Sequence, residues 1–370
     1  MERRVLLNYD AETMRTLEKQ GYHFVGKHRH SAVKSCLWLK KALRGEGRCY
    51  KGKFYGIASH RCVQMTPSIF CNQRCVHCWR PIEFFNIHER AGEKLEEITA
   101  EIAWDSPSEV ANACIEEQKR LVSGYKGFKR TTEKMFEEAM SPKHVAISLV
   151  GEPTLYPYLR ELIEEFHRLR CTTFVVTNGT HPEVLRRINP TQLYLSLNAP
   201  NEEIYKKISG ANFWERILES LEVLREKGGF ERETAEKIVR KEEEVGEDAR
   251  RTRTVVRITC INGLNMVHPE KYAELIAEAM PDFVEVKAYM HLGFSRKRLK
   301  RDAMPSHALV KAFAEKIVDA LRQKEEIKYK IVDESEISRV VLISSGKEER
   351  FLRGAEQGDL INSTSIEHHK

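Results

Sequence analysis

The chain has 370 residues, of which 41% are hydrophobic, 31% charged and 8% aromatic, with 61 Lys+Arg against 55 Asp+Glu. That length allows one large α/β domain or two medium ones with an ample core, and the residue balance excludes a low-complexity or wholly disordered chain. No run approaches 18 apolar residues, which excludes a membrane-spanning helix. The apolar stretch behind Met1-Glu2-Arg3-Arg4 is too short for a secretory signal, so a cytoplasmic protein is expected.

The net charge of +6 is uneven: residues 1–62 carry 14 Lys/Arg and 5 Asp/Glu, the remainder 47 and 50. The first sixth of the chain is therefore either an ordinary solvated basic face or the electrostatic footprint of an anionic partner.

In chain order, residues 10–20 predict a short helix with Asp10 as N-cap. Residues 21–60 are irregular and basic, with a helical piece near 35–43. Residues 63–70 read as a first strand, although Pro67 lacks the donor a central strand needs. Helices are then expected over 95–122, 131–140, 157–169, 182–188, 201–207, 213–227 and 269–280. Strands are expected at 144–150, 173–177, 192–198, 254–261 and 283–290. Short β-branched runs separated by amphipathic helices predict a parallel sheet with right-handed crossovers. Six such strands suit a partial (β/α)6 TIM-like barrel better than a closed eight-stranded one, with ligands at the carboxyl ends of the strands. The nearly all-charged run 231–253 reads as an exposed helical insertion. A long helix over 305–325, two short strands at 329–333 and 339–343, and a polar tail from 354 complete the chain. The expected domains are a basic cysteine-containing extension (1–62), the barrel core (63–304), a small C-terminal α/β extension (305–353) and the tail (354–370).

Six of the nine cysteines fall within residues 36–78, and clustering of this kind suggests metal ligation rather than disulfides. Cys71-Asn72-Gln73-Arg74-Cys75-Val76-His77-Cys78 has the spacing C-x3-C-x2-C. Three thiolates on one short loop hold three corners of a cubane iron–sulfur cluster and leave the fourth iron open. A closed zinc site would want a fourth ligand, for which His77 is available but crowded between two cysteines.

This loop, after a first strand, resembles that of the radical S-adenosylmethionine enzymes, and the resemblance extends to Gly151-Glu152-Pro153, Thr177-Asn178-Gly179 and Ser196-Leu197-Asn198 at the ends of successive expected strands. It implies a [4Fe-4S] cluster on Cys71, Cys75 and Cys78, with S-adenosyl-L-methionine on its open iron. By the same resemblance Glu152 would face the cofactor's amino group, flanked by Gly151 and Pro153. Asn178, Ser196 and Asn198 would lie near its ribose and carboxylate, and Trp79 beside its adenine.

Cys36, Cys49 and Cys62 recur every 13 residues in the basic segment. They are either unrelated thiols or a second three-ligand site, the latter favoured because nearby cations lower a thiol's pKa. With this segment, the loop, Ser148-Leu149-Val150-Gly151-Glu152-Pro153-Thr154 and Gly293-Phe294-Ser295-Arg296, the chain resembles the archaeal 4-demethylwyosine synthase family over about residues 20–350. That resemblance implies a second [4Fe-4S] cluster on Cys36, Cys49 and Cys62, and condensation of pyruvate with N1-methylguanosine-37 of tRNA-Phe. It also implies an external electron donor of flavodoxin or ferredoxin type, since no flavodoxin-like region precedes residue 1. A monomer is expected.

An amine would activate the pyruvate carbonyl as a Schiff base. Lys51, two residues after Cys49, is the leading candidate, with Lys40, Lys41 and Lys53 as alternatives. Trp38, Tyr50, Phe54 and Tyr55 interleave the basic segment with aromatics suited to phosphates and unstacked bases. The run Arg296, Lys297, Arg298, Lys300, Arg301 is a second candidate tRNA contact, or a solvated loop. The rival readings are an RNA-binding protein with structural zinc and another kind of radical enzyme.

Overall fold

The computed structural model describes residues 11–82, 99, 102–228, 251–324 and 328–352, and its chain divides into two compact units. Among the described residues no helix is long and apolar enough to cross a membrane. Asp10, most of the 231–253 run and the tail from 354 lie outside the described residues.

The first unit comprises residues 1–70, 87–174 and 349–370. After α1 (Ala11–Lys19), β1 (His23–Val25) and β2 (Ser31–Val33) form an antiparallel hairpin that the irregular composition of 21–60 had hidden. β2 pairs antiparallel with β3 (Cys62–Thr66), which runs parallel to β4 (His144–Ile147) in the register Cys62↔His144 to Met65↔Ile147. The strand expected over 63–70 stops at Thr66, one residue before Pro67, which has no N–H to donate. Thr66 Oγ1 closes the strand end by donating to the carbonyls of Ser68 (2.7 Å) and Val150 (2.6 Å).

Two short helices, α2 (Leu37–Leu43) and α3 (Tyr50–Tyr55), precede β3. α4 (Pro107–Ser123) starts at a capping box, Ser106 with Glu109, so the helix expected from 95 is not helical over 102–106. α2 packs on α4 and α5 (Glu133–Ala139) through Leu39, Leu43, Val122 and Ala139, with Cys36 against that cluster. α6 (Leu159–Arg168) follows, and β5 (Thr172–Thr177) carries the chain from the first unit into the second.

The second unit comprises residues 71–86 and 175–348. β6 (Gln192–Ser196), β7 (Arg253–Cys260) and β8 (Phe283–Ala288) run parallel and are buried along nearly their whole length, as a parallel sheet covered on both faces requires. β10 (Val340–Ser344) adds antiparallel to β8, with β9 (Lys330–Ser335) outside it. The helices are α7 (Pro182–Arg187), α8 (Glu202–Ser209), α9 (Trp214–Lys227), α10 (Pro269–Ala279) and α11 (His307–Arg322).

The end of the charged run 231–253 is not a solvated face. Thr252 and Arg253 are buried, and Arg251 donates to Asp282 Oδ1 at 2.5 Å. Asp282 also accepts from Thr254 N–H at 2.8 Å, so a buried ion pair pins the start of β7 to the start of β8.

Candidate functional site

The cysteine loop 71–78 is held from several sides within the second unit. The N–H groups of Arg74 and Val76 donate to the carbonyls of Ser209 (2.7 Å) and Ile208 (2.9 Å) at the end of α8. Asn72 is buried, donating to Thr180 Oγ1 (2.8 Å) and accepting from Asn178 Nδ2 (2.9 Å). Asn178 thus lies beside the loop, with the same Nδ2 4.0 Å from Cys71 Sγ. Gln73, also buried, accepts from the Cys75 thiol (3.2 Å) and donates to Tyr205 Oη (2.6 Å).

All nine cysteines are free thiols. Burial pushes the Cys75 thiol well up, the neighbouring Cys71 and Cys78 adding to the effect, while Arg298 works against it. Burial also lowers His77 to about 4, with Arg298 and Arg80 adding repulsion. Its Nδ1 is buried and has no hydrogen-bond partner among the described residues.

The other expected cofactor residues of this unit are less uniform. Ser196 ends β6, half-buried. Asn198 is committed to the scaffold: its Oδ1 accepts from Thr259 N–H (2.9 Å) and its carbonyl from Asn265 (2.8 Å). Trp79 carries the Arg80 guanidinium over its ring at 4.8 Å, and its carbonyl accepts from Phe294 N–H (2.9 Å).

In the basic run, Arg296, Lys297, Lys300 and Arg301 are exposed. Arg298 is not: it turns inward and donates to the carbonyls of Val76 (3.3 Å), Cys78 and Arg80 (3.4 Å). These contacts give it a structural grip on the cysteine loop, whatever part it takes in meeting tRNA.

The first unit brings together Cys36, Cys49, Cys62 and Lys51. Cys36 caps α2, its Sγ accepting from Leu39 N–H at 3.4 Å. Cys49 caps α3, its N–H held by Ser59 Oγ at 2.9 Å. Cys62 opens β3, its thiol facing the Ala58 carbonyl. Cys36 and Cys49 both act electrostatically on the Cys62 thiol, which burial raises first and Lys51 opposes. Cys36 is raised too, burial outweighing Lys51 and Lys40. The expectation that the basic segment lowers these thiols is thus overturned at Cys36 and Cys62, because desolvation exceeds the cations' pull. Lys51 Nζ lies 5.3 Å from the centre of the Phe174 ring. Tyr50, Phe54 and Tyr55 are buried, stacked edge to face at 5.4 and 6.0 Å, so they form the core face of α3 rather than a platform for bases. Trp38 stays half-exposed, with Lys41 over its ring.

Gly151-Glu152-Pro153 also lies in this unit, with three residues between it and the end of β4 at Ile147. Gly151 has φ +73°, and a Cβ there would collide with the carbonyls of Ser68 and Phe70. Glu152 is buried; its N–H donates to Phe70 O (2.6 Å) and its Oε1 accepts from Thr154 Oγ1 (2.7 Å).

Among the described residues no three Cys, His, Asp or Glu side chains converge closely enough to share one metal ion. Each cysteine triad is instead a set of separated thiols that sense one another. A cubane cluster, which takes one thiolate at each of its separated irons, asks for that kind of donor set.

Residues 65–276 match a family model described as the radical SAM superfamily, and residues 278–345 one described as wyosine base formation. The chain is 45% identical to the S-adenosyl-L-methionine-dependent tRNA 4-demethylwyosine synthase of Pyrococcus horikoshii, covering 94% of each chain. It is 41% identical to that of Methanocaldococcus jannaschii, over 90% of this chain and 96% of the relative. Among solved structures, one described as TYW1 with a lysine-pyruvate adduct bound superposes with a TM-score of 0.73 at 38% identity, covering 92% and 97% of the two chains. Another, archaeal TYW1, gives 0.68 at 35% identity over 92% and 99%. The fold is therefore the α/β, partial TIM-like barrel of those enzymes.

Proposed function

The chain belongs to the tRNA 4-demethylwyosine synthase family of radical SAM enzymes, and from that premise we propose that it condenses N1-methylguanosine-37 of tRNA-Phe with pyruvate to form 4-demethylwyosine, in the cytoplasm. The observation that carries the reading is the assembly of Lys51 with Cys36, Cys49 and Cys62. It joins an amine able to capture a keto acid to a second three-thiol site, a combination that neither a zinc-binding RNA protein nor a generic radical enzyme calls for.

Cys71, Cys75 and Cys78 are proposed to hold the [4Fe-4S] cluster that the radical SAM family implies. When bound, that cluster and S-adenosyl-L-methionine supply the 5′-deoxyadenosyl radical that takes a hydrogen from the unreactive N1-methyl group. Glu152 is proposed to face the cofactor's cationic amino group as an acceptor-only carboxylate. Gly151 and Pro153 set its backbone, and Trp79, Asn178, Ser196 and Asn198 line the remainder. Asn178 and Asn198 do so through side chains that are also structural hydrogen-bond partners.

Lys51 Nζ is proposed to attack the pyruvate C2 carbonyl and, with loss of water, hold the substrate as an imine. The lysine-pyruvate adduct carried by the similar enzyme of known structure supports this chemistry. Cys36, Cys49 and Cys62 are proposed to hold a second cluster, whose open corner would chelate the pyruvate carboxylate. The exposed Arg296, Lys297, Lys300 and Arg301 are proposed to meet tRNA phosphates, position 37 being splayed from the anticodon loop at little unstacking cost. A flavodoxin- or ferredoxin-type protein would deliver the electron, and the chain would act as a monomer.

The test is anaerobic reconstitution with iron and sulfide, followed by incubation with methylated tRNA-Phe, S-adenosyl-L-methionine, reductant and uniformly labelled pyruvate. Two labelled carbons should enter the nucleoside. A reconstituted enzyme that cleaves the cofactor but leaves the nucleoside unlabelled would refute the assignment.

A further inference from the structure

Arg298 is engaged far from where a surface cation would be used. Its Nε donates to Val76 O at 3.3 Å, and Nη2 donates to the carbonyls of Cys78 and Arg80. The backbone just before it is fitted to the same stretch. Phe294 N–H donates to Trp79 O at 2.9 Å, and Gly293, at φ +53°, has no room for a Cβ against that carbonyl. Residues 293–298 therefore lie along residues 76–80 and cover the third cysteine of the loop.

We propose that Arg298 is a positioning residue for the iron–sulfur cluster of this loop: its planar fork fixes the peptide units on both sides of Cys78, and its permanent charge stands beside the ligand set. The proposal rests on the reading of Cys71, Cys75 and Cys78 as cluster ligands.

Two consequences separate the fork from the charge. Partners behind a ligand orient it and typically change metal affinity about 10- to 100-fold when removed. A nearby fixed cation favours the more negative, reduced state of a cluster and so raises its potential. The guanidinium is hydrogen-bonded to the carbonyl of Cys78, itself one of the three ligands, which places its charge beside the set. Lysine would keep that charge but cannot reproduce the fork.

The experiment uses the full chain, as wild type, Arg298→Met and Arg298→Lys, each reconstituted anaerobically. For the cluster whose spectroscopic signal shifts on adding S-adenosyl-L-methionine, iron release to a chelator and midpoint potential are measured, with a thermal melt of the metal-free chain alongside. Arg298→Met should release iron about tenfold faster or more and titrate at a more negative potential. Arg298→Lys should release iron faster than wild type while holding the wild-type potential. Wild-type release and potential in Arg298→Met would overturn the proposal. If Arg298→Met melts early, Arg298→Lys decides, and a wild-type release rate in that variant overturns it equally. A wild-type chain that assembles no cofactor-sensitive cluster would instead remove the parent reading, and this inference with it.

Discussion

Gly151→Ala separates two effects that are usually confounded. Gly151 sits at φ +73°, where an L-residue costs about 1–2 kcal/mol. Its Cβ would also strike the carbonyls of Ser68 and Phe70, so backbone has to move. The bond that movement breaks is Glu152 N–H to Phe70 O, 2.6 Å in the wild type, and leaving such a buried group unpaired costs about 1–3 kcal/mol. Together the expected loss is about 2–5 kcal/mol. Gly21 is the control: it has φ +81° and, among the described residues, nothing within 4 Å of an added Cβ, so Gly21→Ala reports backbone strain alone. The assay is urea unfolding of the metal-free chain followed by far-ultraviolet circular dichroism. If Gly151→Ala unfolds within about 1 kcal/mol of Gly21→Ala, the steric argument at the start of the Gly-Glu-Pro segment is wrong.

Three further outcomes follow from other parts of the molecule. Borohydride should trap labelled pyruvate on the wild-type enzyme and not on Lys51→Met, with iron uptake unchanged; trapping that persists would pass the role to Lys40, Lys41 or Lys53. Reversing the charges of Arg296, Lys297, Lys300 and Arg301 should weaken tRNA binding and reduce the slope of log affinity against log salt by about 0.7–0.9 for each phosphate that is no longer neutralised; an unchanged slope removes this surface from the interface. His144 is held neutral down to about 3, by burial first and then by Arg61, Lys143 and His60. Below about 6.5 the unfolded chain binds a proton that the folded site refuses. Stability is therefore full above that pH and falls as pH drops toward 3, by about 2 kcal/mol at pH 5 from this group. His144→Asn should flatten that part of the stability curve, and an unaltered curve would assign the acid sensitivity to other groups.

The alternating half of the chain was legible because each parallel strand is buried on both faces and each helix shows a single apolar stripe. β6, β7 and β8 begin within a residue of their expected starts for that reason. The C-x3-C-x2-C loop was legible because ligand spacing on a short loop is local information. The β1–β2 hairpin was not. Its strands are three residues each, too short for an alternating pattern, and its turn is fixed by a distant residue: Asp105 accepts from Lys27 N–H (3.1 Å) and His28 N–H, and leaves no room for a side chain at Gly26. Asn72, Gln73 and Tyr205 escaped for the same reason, since each matters through a partner up to 132 residues away.

The raised thiols and the inward turn of Arg298 have a common physical origin. Composition counts charges, whereas a pKa and a binding role depend on where the charge is and what solvates it. At Cys36 and Cys62 the lysines act over a distance, while removal of water acts directly on each sulfur, and desolvation is the larger effect. In the 296–301 run, the short 3-10 turn Gly293–Lys297 sends Arg298 inward and its basic neighbours outward. The five cations of that run look alike to any count, yet one of them is bound to the carbonyls of the cysteine loop and four are offered to solvent. A charge-reversal series that treated the run as one patch would therefore mix a loop defect with an RNA-binding defect, which is why Arg298 is left out of the set reversed in the binding test above.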